Sequence, residues 1–67
     1  MKVKELRKAL EGIDGEKEVR IISKVTVLNV AETAKVTNLY LDPDAFIIKS
    51  DNTDPWYPNS KIKEVVW

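Results

Sequence analysis

The chain contains no cysteine and no histidine, and only two glycines, three prolines and five aromatic side chains among its 67 residues. Each shortage excludes something. Without cysteine there are no disulfides, and with histidine missing too the two commonest ligands of structural zinc are gone. Packing alone must therefore hold a chain that buries at best about 60% of its unfolded surface. The same two absences remove the usual general base and the strongest nucleophile, and Ser23, Ser50 and Ser60 have no evident partner to activate them. The expectation is a non-enzymatic protein that carries no cofactor. An excess of charge is also lacking, since 11 basic residues balance 11 acidic ones, and this gives no overall pull toward nucleic acid or an anionic membrane. No run approaches the roughly eighteen apolar residues of a membrane span, and the start lacks the apolar core of a signal peptide. A soluble cytoplasmic protein is expected.

What is present reads as one domain, residues 1–67, with no repeat or linker. The densest β-branched stretch is 18–30 (EVRIISKVTVLNV), whose seven Val, Ile and Leu residues fall on both alternation sets. It is read as the central strand region. Run straight it would reach about 43 Å, against about 28 Å for the diameter of a compact chain of this length. It must bend or break, and the apolar pattern lapses at Ser23-Lys24. Before it, Val3, Leu6, Ala9 or Leu10, and Ile13 recur at helical spacing and predict a short amphipathic helix over 3–11. Gly12 should stop that helix, and Asp14-Gly15 should turn the chain into the strand. No Ser, Thr, Asp or Asn precedes Val3, so the first turn should fray.

Downstream, 31–34 reads as a connection and 35–41 (KVTNLYL) as a strand. Asp42-Pro43-Asp44 is a turn that should pair 39–41 with 45–48 as an antiparallel hairpin. A long loop follows over 51–60, and 62–67 (IKEVVW) closes the chain as a last strand tied into the sheet. The expected fold class is α+β, a short N-terminal helix packed on a curled, mostly antiparallel sheet of four to five strands, with a half-open barrel as the variant. The sheet's other face, carrying Arg20, Lys24, Thr26 and Thr37, is either solvated or an interaction surface.

Val3, Glu5, Leu6 and Leu10, then Asp14, then Glu18, Val19 and Ile21, with Tyr57-Pro58 ahead of a final strand, form a pattern that resembles a recurrent type of small bacteriophage or prophage protein. Those proteins carry a V-x-E-L-x-x-x-L helix, a turn and an E-V-x-I strand. Lys2 departs from it where a capping threonine is usual, and Gly15 where a proline or aspartate is. The resemblance implies a phage or mobile-element origin in a bacterial host and transfers no chemistry.

Trp56 and Tyr57 are the most functional-looking residues. Bracketed by prolines in a loop, they suit a protein partner or stacked bases, or else they fold back over an end of a core that needs their area. Lys4, Arg7 and Lys8 form a basic helix face, either simply solvated, with Arg7 and Glu11 as an i,i+4 pair, or facing an acidic partner. Lys61 and Lys63, joined with Trp56 and Tyr57, would serve a small OB-like or SH3-like nucleic-acid binder. Asp51, Asn52 and Asp54 offer oxygen ligands but lack the glycine and distal glutamate of a calcium loop, so no metal site is expected. The missing catalytic groups, the small size, the strand edges and the loop aromatics point to a protein that binds another protein and forms a homo-oligomer, and the resemblance implies that the partner is a host or phage protein. A nucleic-acid binder and an oligomeric nucleotide sponge are the alternatives.

Overall fold

The helical spacing at the start produces α1, Val3–Ala9, in a computed structural model that describes residues 1–22, 35–50 and 56–67. The helix is two residues shorter than the expected 3–11. Leu10 is the C-cap, and Gly12 takes a left-handed φ of 75°, where a residue with a Cβ is strained. At the other end the missing cap is replaced from within, because the Glu5 carboxylate accepts the Lys2 backbone N–H at 3.1 Å. The Asp14 carboxylate likewise accepts the Glu16 N–H at 3.0 Å and closes the turn that leads into the sheet.

Four strands follow: β1 Glu18–Ile22, β2 Val36–Leu41, β3 Ala45–Ser50 and β4 Lys63–Val65. They form one sheet in the order β1-β3-β2-β4, with β1 parallel to β3 and the other two neighbour pairs antiparallel. The architecture is thus a small α+β fold with a mixed sheet, which among the described residues is not closed into a barrel. The hairpin is where Asp42-Pro43-Asp44 places it. Asp42 and Ala45 exchange backbone bonds of 2.9 and 3.3 Å, and φ stays negative at Pro43 and Asp44, as a proline in the second turn position requires. A bulge between Val36 and Asn38 then shifts the register of β2 by one residue.

Burial concentrates on this hairpin. Leu39 and Phe46 are fully buried on one face, where Ala9, Leu6 and Met1 of the N-terminal segment cover them with Val65, and each such side chain contributes about 2–3 kcal/mol. The opposite face has its own cluster of Tyr40, Ala45 and Ile47, packed by Ile22, Trp56 and Ile62. That face is apolar at its centre, whereas its edge strand presents Glu18 and Arg20.

Three expectations are corrected. Residues 18–30 were read as central, yet β1 is the end strand of the described sheet, and the centre belongs to β3 and β2. The reason is that α1 sits over the hairpin and leaves Val19 and Ile21 on the helix side of β1 63% and 69% exposed. The last strand is three residues long instead of six, and Val66 beyond it is 94% exposed. The Arg7–Glu11 pair is not formed, because the helix that would bring the two together ends at Ala9; the one ion pair among the described residues is Arg20–Glu18 at 2.7 Å. The break at Ser23-Lys24, Lys24 and Thr26 of the second face, the connection 31–34, and Asp51, Asn52 and Asp54 lie outside the described residues.

Candidate interaction surface

A segment outside the regular elements, residues 56–59, carries the two loop aromatics on a firm base. Its downstream end is held by Asn59, whose side chain accepts the Lys61 N–H at 2.9 Å and whose carbonyl accepts the Ile62 N–H at 3.1 Å. Ile62 then packs into the second cluster. At the upstream end Trp56 lies partly buried against the same cluster, its ring edge-on to Tyr40 with centroids 4.8 Å apart and planes at 64°. Such a contact is attractive beyond the area it covers. Tyr57, the next residue, is 85% exposed. The pair is therefore divided: Trp56 is structural, and Tyr57 projects from it into solvent.

Two other candidate groups lie elsewhere. Lys4, Arg7 and Lys8 are exposed on α1, with Arg7 and Lys8 in its last turn, where positive charge suits the helix dipole. The helix covers the face of Leu39 and Phe46, while Trp56 packs on the face of Tyr40, so the basic patch and the aromatic segment sit on opposite sides of the sheet. Lys63 pairs with Leu41 and shares the helix side, and Lys61 is exposed in the turn before β4. Lys63 and Trp56 are thus not brought onto one surface.

Sequence reasoning missed Lys17. Its ammonium donates to the carbonyls of Asp42 at 3.1 Å and Pro43 at 2.8 Å, tying the start of β1 to the hairpin turn. This sets the parallel register, in which Glu18 faces Ala45. Nothing in the local pattern marks a lysine whose partners stand 25 and 26 residues away. Also missed was a hollow of about 240 Å³ lined by Leu10, Ile13, Val19 and Phe46 with Asp14, Gly15 and Lys17, between the end of α1 and β1.

Arg20 is held further toward its charged form by its hydrogen bond and Coulomb attraction to Glu18, with smaller help from Asp42 and Asp44. Among the described residues no three acidic side chains converge as a metal site would need, and no helix is long and apolar enough to cross a membrane. Compared with family models, with curated proteins and with solved structures, the chain has no match in any of the three.

Proposed function

We propose that the chain is a non-enzymatic interaction protein of phage or mobile-element origin that acts in the cytoplasm of a bacterial host, binds a host or phage protein, and self-associates. The observation that carries the reading is Tyr57. An exposed tyrosine next in the chain to an anchored tryptophan offers a large contact area with few side-chain torsions to fix on binding, the property that makes tyrosine a frequent hot spot. The lack of histidine and cysteine supports binding over catalysis. The phage origin rests on the resemblance of the N-terminal helix and E-V-x-I strand.

The test is a photo-crosslinking amino acid placed at position 57 in cells, with position 8 as the comparison, followed by purification of whatever is captured. The purified partner should bind the wild-type chain on the order of thirtyfold more tightly than Tyr57→Ala, the loss typical of a hot spot. Capture of nucleic acid in place of protein, or equal affinity for the variant, would overturn the reading.

A further inference from the structure

The two ends of the described sheet are built differently. β4 is three residues long and presents Lys63 and Glu64, the short charged form in which proteins usually leave an edge. β1 has five residues, contains no lysine, proline or bulge, and displays Val19 and Ile21 largely exposed. Among the described residues it has a strand on one side only. Among the described residues this edge carries none of the usual guards, and an edge of this kind is a template for a further strand.

Geometry narrows which strand that is. When two copies of one strand pair antiparallel about a two-fold axis, opposite residues share a face, so the axis passes through a residue position. Through Arg20 the axis would set Arg20 against itself and Glu18 against Ile22. Through Ile21 it would leave Arg20 opposite Ile22. Through Val19 it sets Val19 against Val19 and makes two Glu18–Arg20 cross-strand pairs, with Ile21 beside the aliphatic stem of Lys17. Opposite charges in directly facing positions stabilise a ladder, and like charges oppose it. Glu18 and Arg20 already share one face of β1, in contact at 2.7 Å, so the second copy converts one pair into an alternating four-charge array.

We propose that a second copy of this chain docks on β1, antiparallel and centred on Val19, joining two four-stranded sheets into one of eight strands. The inference deepens the self-association part of the function proposed above and leaves the part concerning Tyr57 untouched. Val19 also lines the hollow beside Leu10 and Ile13, so the axis brings two such hollows together and withdraws apolar surface from water on the helix side. Two five-residue edges bury less than the about 800 Å² per partner of a standard interface. The dimer is therefore weak, micromolar or weaker.

The absence of native cysteine allows a direct test on the full chain. Val19→Cys, Ile21→Cys and the exposed control Lys61→Cys are each oxidised mildly at high micromolar concentration, and covalent dimer is followed over time. Facing Val19 positions should crosslink on the order of tenfold faster than either alternative, since only they meet at bridging distance. In sedimentation velocity, Arg20→Glu should weaken the wild-type dimer on the order of tenfold, and Glu18→Arg combined with Arg20→Glu should restore it. Fastest crosslinking at Ile21, or indifference to Arg20→Glu, would overturn the register while leaving self-association standing. A wild-type chain that stays monomeric throughout would overturn both, and neither result bears on binding through Tyr57.

Discussion

Truncating Trp56 to alanine separates an anchor from a contact residue, and its cost follows from where the ring lies. A tryptophan that stays partly exposed buries about 150–200 Å², which at about 25 cal/mol per Å² sets a ceiling of about 4–5 kcal/mol. The unfolded chain already hides some of that area, which lowers the figure by about 10–40%. The edge contact with Tyr40 at 4.8 Å returns part of the reduction. The expected loss is about 3 kcal/mol, against a total of about 3–10 kcal/mol for a chain of this size. Tyr57→Ala, at a side chain 85% exposed, should lie within about 0.5 kcal/mol of wild type. Urea unfolding followed by far-ultraviolet circular dichroism measures both, because the signal survives removal of an indole. The midpoint should fall for Trp56→Ala and hold for Tyr57→Ala. Equal midpoints for the two variants would refute the assignment of Trp56 to the second cluster.

Four other substitutions probe the frame that carries these surfaces. Gly12→Ala should cost about 1–2 kcal/mol from its left-handed φ alone, since nothing lies within 4 Å of the added Cβ, whereas Gly15→Ala, equally open but without a positive φ, should be neutral or slightly stabilising by urea midpoint. Lys17→Met keeps the aliphatic stem and removes both bonds to the hairpin turn, so a loss of about 1–2 kcal/mol is expected, with faster amide exchange at Ala45 as its local sign. Leu39→Ala opens a cavity under α1 at a fully buried position and should cost about 2–5 kcal/mol, enough to leave much of the population unfolded at 25 °C by circular dichroism.

Much of the local structure was legible because it depends on near neighbours. The i, i+3 and i+4 spacing of Val3, Leu6 and Leu10 specifies a helix wherever it packs, Gly12 ends it through its own backbone freedom, and Asp42-Pro43-Asp44 presets the turn angles of the hairpin. The split between Trp56 and Tyr57 was not legible, since both residues suit a core and an interface equally well. Only the position of Tyr40 decides which ring is covered.

Sequence alone thus determined the class of fold, the helix, the hairpin and the absence of disulfide chemistry, because each depends on residue type or on contacts a few positions apart. Tertiary structure decided that β1 runs parallel to β3 at the end of the described sheet, that α1 covers the hairpin and leaves Val19 and Ile21 in water, and that the basic helix face and Tyr57 lie on opposite sides. These choices depend on which of several apolar strands wins the limited cover of a seven-residue helix. A β-branched strand has the same alternation at the centre of a sheet as at its edge, and its neighbours in space alone tell the two apart.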